Sequence, residues 1–298
     1  MRLACSPLSS SDYPHFEELV RRMHEGLRPL GVNVSLPSLR VNHQLRSVPK
    51  LTSGWRRGSG MTLAPEVARD DMRTQIRKPI KNEDLIEGCR EAFREGMSHV
   101  KLYFLCGLPG ERHADLDGIV DLAESISRVG REFGGRDKEV IASVSNFIPK
   151  PHTPYQWNGM QTREYFRWAG DYMHRRKRNK AVKIKQHDIE TSLLEGILTR
   201  GDRRVSPGLY EAWKRGARFD GWKECFKPQL WWQTFSDLGI DVDFYRTRQR
   251  PVEERLPWDH VNVKKGRAYL EKEQARSVVQ LGVMAEAVGE KGPTGCGG

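Results

Sequence analysis

Several short clusters in this 298-residue chain combine residue types that can hold a ligand or move a proton. In Gly107-Leu108-Pro109-Gly110-Glu111 the two glycines can adopt backbone conformations closed to other residues. The chain can therefore approach a ligand closely there, with Glu111 free to cap the next helix. A plain strand-ending turn explains the same five residues, because Pro109 presets φ. Ser9-Ser10-Ser11-Asp12 offers hydroxyl and carboxylate acceptors for a ligand ammonium group, or simply a helix cap. Glu66, beside Pro65, has candidate partners in Arg73, Arg77 and Lys78, which could instead bind a ligand carboxylate. His187-Asp188 and Trp258-Asp259-His260 set an imidazole beside a carboxylate. Sequence neighbours do not face each other on a helix, so structural roles are expected for both.

Metal and redox chemistry find little support in spacing. The cysteines are Cys5, Cys89, Cys106, Cys225 and Cys296, and the closest two are 17 positions apart. No CxxC pair exists to form a local metal clip, and reduced thiols are expected. Lys and Arg outnumber Asp and Glu by 50 to 39, a net charge of +11 that favours polyanionic partners. An RNA-contacting subunit or binding module is therefore one reading of the whole chain. Trp213, Trp222, Trp231, Trp232 and Trp258 are expected in the core rather than on a base-stacking platform, which needs aromatics exposed on a basic surface. The run His174-Arg175-Arg176-Lys177-Arg178 reads as a solvated helix end. No apolar run approaches the ~20 residues of a membrane helix. Met1 to Cys5 is too short for a signal-peptide core, so a cytoplasmic protein with no membrane partner is expected.

The elements that must position these clusters alternate. Helices are predicted over Tyr13–Leu30, Asn82–Arg94 and Ala114–Val129, with Asn82 as a cap and Gly96 as a stop. Strands are predicted over Val32–Leu36, Gly60–Ala64, His99–Cys106 and Val140–Phe147. Strand–helix alternation at this spacing argues an α/β fold with a parallel sheet and right-handed crossovers. Ligands then belong at the carboxyl ends of the strands. A helix over Thr162–Arg178, a strand over Ala181–Gln186 and a Trp-rich helical section to about Val263 follow. Periodicity fades after Val279, which predicts a disordered tail.

In chain order these segments resemble one group of radical S-adenosylmethionine (SAM) proteins. Its members are Fe-S oxidoreductases that often carry a cobalamin-binding-type domain ahead of the barrel. Within the sheet region the resemblance rests on Leu8–Tyr13, Ser35–Arg40, Leu63–Glu66, Lys101–Glu111 and Val144–Trp157. Beyond it come Leu193–Gly196, Arg200–Arg204, Gly216–Trp222 and Leu256–His260. It implies a partial TIM-like (β/α)6 barrel over 1–157, a mostly helical extension over 158–263 and a partly disordered tail over 264–298.

It also implies SAM, with Ser9, Ser10, Ser11 and Asp12 near its ammonium group. Ser35, Ser38, Arg40 and Glu66 would follow the next strands. Gly107, Leu108, Pro109, Gly110, Asn146, Phe147 and Ile148 would lie on the adenine side. Such barrels begin with a three-cysteine CxxxCxxC loop that holds a [4Fe-4S] cluster, and this sequence has no such loop. The expectation is thus the C-terminal part of a longer radical SAM protein, or one half of a split system. It would not generate the 5′-deoxyadenosyl radical alone. A missing N-terminal half or partner chain would supply the cluster, cobalamin would be a cofactor of full-length relatives, and the open sheet edge would lower solubility.

Overall fold

Alternation of apolar and polar residues gives each strand of this chain one face to bury. The computed structural model describes residues 2–4, 13–27, 29–35 and 60–288. Two parallel sheets form within them. In the smaller, β1 (Arg2–Ala4) pairs with β2 (Asn33–Ser35), with Leu3 opposite Val34. Helix α1 (Phe16–Leu27) lies between them in the chain and buries Phe16 and Val20. The larger sheet has the order β3 (Gly60–Glu66), β4 (His99–Cys106), β5 (Glu139–Asn146), β6 (Val182–Gln186). On its buried face Leu63 stands opposite Leu102, and Ala142 opposite Ile184. On the other face Thr62 stands opposite Lys101 and Ser143 opposite Lys185, and all four reach solvent.

Strands that pair in chain order, all parallel, receive their right-handed crossovers on one side. A doubly wound sheet would instead reverse direction and cover both faces. Here α2 (Asp70–Gln75) and α3 (Asn82–Arg94) link β3 to β4, and α4 (His113–Val129) with the 3-10 turn Gly130–Phe133 links β4 to β5. Helix α5 (Arg163–Arg176) precedes β6. Helix α3 packs on α4, and α4 packs on β4 and β6. From α5, Tyr172 donates to Asp117 at 2.8 Å and Arg176 meets Asp117 at 2.5 Å. The helices thus lie side by side, in chain order, over the apolar face.

The chain divides into two units. The first comprises Met1–Cys106, Glu111–Ser145 and Gly170–Gln186, and holds both sheets. The second comprises Gly107–Gly110, Asn146–Ala169 and His187–Gly298. It is helical: α6 (Ile189–Arg200), a 3-10 turn at Arg203–Val205, α7 (Ser206–Lys214), α8 (Pro228–Asp237), α9 (Val242–Arg246) and α10 (Gly266–Val288). One of its cores gathers Ile197, Ala212, Trp231, Phe235 and Tyr245; another gathers Trp157, Leu256, Trp258 and Leu270. No helix among the described residues is long and apolar enough to cross a membrane.

Several expectations need correction. Tyr13–His15 form a turn before α1 rather than its first residues. Asn82 is not a cap: Lys81 holds that position, while the Asn82 side chain donates to Ala68 and accepts from Arg73. Glu111 does not cap α4; Arg112 does, and its backbone N–H donates to Asp115 at 2.8 Å. The sheet continues beyond the strand leading to Tyr155, because β6 buries Val182 and Ile184 and turns its lysines outward. Residues 289–298 of the tail lie outside the described residues, and Gly266–Val288 form a helix. Its buried positions include Glu273, Gln274 and Ser277, so polarity hides the helical period. Arg176, expected in solvent, docks α5 on α4. Trp231 and Trp258 are core residues as expected, whereas Trp213 and Trp222 are exposed.

The three described cysteines differ sharply. Burial pushes the Cys89 thiol up to about 12. Burial and the neighbouring Glu111 carboxylate also raise Cys106, while Cys225 is only half-buried. Thiolates are the reactive species. Native protein treated with iodoacetamide at mildly alkaline pH is expected to label at Cys225, with Cys89 and Cys106 protected until denaturant is added. Peptide mass mapping reads this directly, and labelling of Cys89 as fast as Cys225 would contradict the packing described.

Candidate functional site

Within the first unit, the end of β3 is an irregular, tightly held turn. The register with β4 slips between Leu63 and Glu66, a bulge at the strand end. Glu66 has φ 66 and Arg77 has φ 53, left-handed conformations that cost a non-glycine residue on the order of 1–2 kcal/mol. The Glu66 carboxylate accepts from Lys78 Nζ at 2.8 Å, and both side chains are partly open to solvent. Of the three candidate partners, Lys78 is the one that pairs. Arg73 is instead buried, donating to Val67 O at 3.1 Å, Ile80 O at 3.1 Å and Asn82 Oδ1 at 2.7 Å. Burial draws its guanidinium below the usual range, with Asp70 opposing. Arg73 therefore pins the 67–82 segment, and the Glu66–Lys78 pair is left as the group available to a ligand. Arg112, next to the Gly110-Glu111 turn, reaches Asp71 at 2.7 Å and Asp115 at 2.9 Å, which ties α2 to the start of α4.

The second unit gathers the turns that follow β4 and β5. Gly107 has φ +90 and Gly110 φ +75. A Cβ on Gly107 would lie 2.7 Å from Phe166 Cε1, and one on Gly110 would lie 2.1 Å from Leu281 Cδ2. The close approach these glycines allow is thus used by the protein's own side chains. Asn146 Nδ2 donates to Ser192 Oγ at 2.9 Å and to His187 O at 3.3 Å. Ser192 Oγ also lies 3.1 Å from His187 Nδ1 and donates to Asp188 O at 2.8 Å. Phe147 packs edge-on against Tyr155, whose hydroxyl lies 3.4 Å from Ser277 Oγ on α10. Ser277 and Leu281 are one helical turn apart, so a single face of α10 runs along both turns. Leu108 and Phe147 are buried, and Ile148 is half-buried.

The expected site residues thus fall into separate groups. Glu66 belongs to the first unit; Gly107–Gly110 and Asn146, Phe147 and Ile148 share the second. Ser35 ends β2 opposite Ala4. Ser9, Ser10, Ser11, Asp12, Ser38 and Arg40 lie outside the described residues. The His–Asp neighbours are structural, as expected. Asp188 caps α6 through Thr191 N at 2.8 Å, and Asp259 pairs with Arg267 at 2.5 Å while His260 faces solvent.

Sequence reasoning missed Gln156, whose buried Oε1 accepts from Trp258 Nε1 at 2.7 Å and His152 N at 3.0 Å. Gln156 and His152, with Arg255, Asp259 and Arg267, line a cavity of about 220 Å³. Also missed was Arg200, fully buried and donating to the carbonyls of Tyr245, Arg246 and Arg248. Burial, with Arg250 and Arg248 nearby, pushes its guanidinium down to about 9. The polar surroundings, Lys150 to Pro154 before Gln156 and Gly201-Asp202 after Arg200, gave no signal of burial.

An iron–sulfur cluster does not fit the described residues. Cys89, Cys106 and Cys225 stand on separate elements, and no group of three His, Cys, Asp or Glu side chains among the described residues could hold a metal ion. No family model matches the chain. An uncharacterized protein of Methanocaldococcus jannaschii is 26% identical over 204 residues, a match that takes in 67% of this chain and 41% of that protein. The chain therefore spans about two fifths of the length of the curated relative it matches.

Two substitutions test the geometry. Arg73→Ala leaves two buried carbonyls, the half-buried Asn82 Oδ1 and the Asp70 carboxylate without their donor, and is expected to lower stability by about 3–5 kcal/mol in urea denaturation. Arg73→Lys should recover little, because one ammonium cannot reproduce the guanidinium fork. Gly107→Ala meets both a positive φ and the buried Phe166 ring, so a loss of about 2–4 kcal/mol is expected. Gly107→Ala with Phe166→Leu should recover part of it. The comparison is Gly282→Ala, on α10 with open space around it. A neutral Gly107→Ala would show that the turn does not hold Phe166 as described.

Proposed function

We propose that this chain is the C-terminal part of a radical SAM protein of the Fe-S oxidoreductase group. In this reading the four-stranded sheet is a section of a (β/α)6 barrel. The observation that carries it is the winding of the sheet: four parallel strands in chain order, helices over the apolar face, and an opposite face of mixed character that reaches solvent. In this reading the sheet is a section of a barrel wall, and the face away from the helices would line the lumen. The turns that carry the resemblance also follow the carboxyl ends of β3, β4 and β5, where parallel sheets bind ligands.

In this proposal SAM meets Gly107–Gly110 and Asn146–Ile148 on its adenine side. When bound with a reduced cluster, SAM would be cleaved to methionine and a 5′-deoxyadenosyl radical. The cluster's ligands would come from another segment or chain, so radical formation is not expected from the described residues alone.

Two features set the expected affinity low. Leu281 fills the space beside Gly110, and no group of three His, Cys, Asp or Glu side chains among the described residues could hold an iron that grips the amino and carboxylate groups of SAM. Titration calorimetry of the chain should therefore give saturable but weak binding, about 0.1–1 mM. SAM, S-adenosylhomocysteine and 5′-deoxyadenosine should bind within about threefold of one another, since the adenine side dominates. Absence of saturable binding by all three up to about 5 mM would remove the SAM assignment.

A further inference from the structure

Helix α7 and the loop that follows it carry a row of aromatic side chains out of the core. Tyr210 is 63% exposed, Trp213 52%, Phe219 75% and Trp222 64%. The aliphatic Leu209 beside them is exposed as well. Exposed aromatics on this scale, within 14 residues, mark an interaction surface rather than chance. The same stretch contributes Ala212, Ala217 and the half-buried Phe226 to the core, so apolar burial was available and these four rings were left out of it.

The loop is built to hold them there. Tyr210 and Trp213 stack on each other, with ring centres 5.8 Å apart and planes 24° from parallel. Gly216, at φ +100, ends α7, and Ala217 N donates to Ala212 O at 2.9 Å, which anchors the turn through buried Ala217. The Arg218 guanidinium lies 4.7 Å from the Trp213 ring centre, and it donates to Ala217 O at 2.7 Å and to Trp213 O. It is thus fixed over the indole by carbonyls, with no carboxylate among the described residues pairing it. Phe219 takes φ 56, an unfavourable conformation for an aromatic residue, while its side chain gains no burial in return. Backbone bonds from Trp222 N to Phe219 O at 2.8 Å and from Phe226 N to Trp222 O at 3.0 Å tie the outer rings to the core-packed Phe226. Strain held by a hydrogen-bonded loop, with no packing benefit, points to function.

Charge identifies the partner. From Arg203 to Lys227 the chain has seven basic and three acidic residues. Lys214 sits 5.8 Å over the Tyr210 ring. Lys223 and Lys227 are exposed, and no ion pair involves them among the described residues. Protein–protein hot spots favour Trp, Tyr and Arg but deplete lysine. Aromatic rings interleaved with lysines and a ring-stacked arginine match single-stranded nucleic acid, whose bases stack on the rings while phosphates meet the cations. RNA presents unpaired loops and ends as a matter of course, whereas DNA bases are mostly paired.

We propose that the α7 surface, with Tyr210, Trp213, Arg218, Phe219 and Trp222, is a stacking platform for single-stranded RNA. It stands independently of the SAM reading. The test is fluorescence anisotropy of the intact chain with a labelled, unstructured RNA of about 12 nucleotides, a length suited to such sites. Trp213→Ala is expected to weaken binding about tenfold and Trp213→Ala/Trp222→Ala about a hundredfold, with the melting temperature unchanged because both rings are exposed. Lys223→Glu/Lys227→Glu should weaken binding and flatten its dependence on salt between about 50 and 200 mM. No binding at about 50 mM salt would overturn the proposal and leave the surface as a protein contact. Undiminished binding by the double tryptophan variant would overturn it too. Equal or tighter binding of DNA of the same sequence, or of duplex RNA, would overturn the assignment to single-stranded RNA.

Discussion

A parallel sheet whose strands follow one another in chain order can take its helices on one face only, and the rest of the first unit follows from that. Leu63, Leu102, Ala142 and Ile184 must face the helices; Thr62, Lys101, Ser143 and Lys185 must not. The crossovers then lie side by side, which sets Tyr172 and Arg176 of α5 against Asp117 and Asp121 of α4. Turns follow the carboxyl ends of β3, β4 and β5 in the chain. Of their chemistry, this arrangement leaves the Glu66–Lys78 pair partly open to solvent while committing Asn146 to Ser192 and His187.

Much of the chain's excess positive charge serves its irregular backbone. Loops leave carbonyls without ladder partners, and a guanidinium can meet several at once. Arg73 does this for the segment after β3, and Arg200 for the segment after α9. Arg250 returns the arrangement by donating to Arg200 O at 2.6 Å. Burial pulls all three guanidinium groups below their usual range, even at Arg73, where the Asp70 carboxylate 3.0 Å away opposes the shift. Net charge alone therefore overstates what the surface offers to a polyanion. The basic side chains around α7 are different, because several of them remain exposed beside exposed rings.

Strand and helix positions were legible from alternation and spacing. His99–Cys106 reads as a strand from its period and is one, and Asn82–Arg94 ends at Gly96, which takes φ +87. The capping roles of Asn82 and Glu111 were not legible, because a side chain that can cap can equally serve a distant partner. Arg73 claims Asn82, and Cys106 Sγ lies 3.5 Å from Glu111 Oε1. The α10 helix was hidden for the opposite reason: its buried positions include polar residues, so no apolar stripe announces it.

What the sequence determined by itself is the α/β order, the parallel sense of the sheet and the absence of a local cysteine clip, since all three depend on period and spacing along the chain. What only the tertiary structure decided is which side chains are spent. Gly107 and Gly110 could have cradled a ligand, yet they receive Phe166 and Leu281. Five tryptophans of similar context could all have been core, yet Trp231 and Trp258 are buried while Trp213 and Trp222 stand in solvent. Exposure is a property of what packs from elsewhere in the chain, and a one-dimensional pattern carries no record of it.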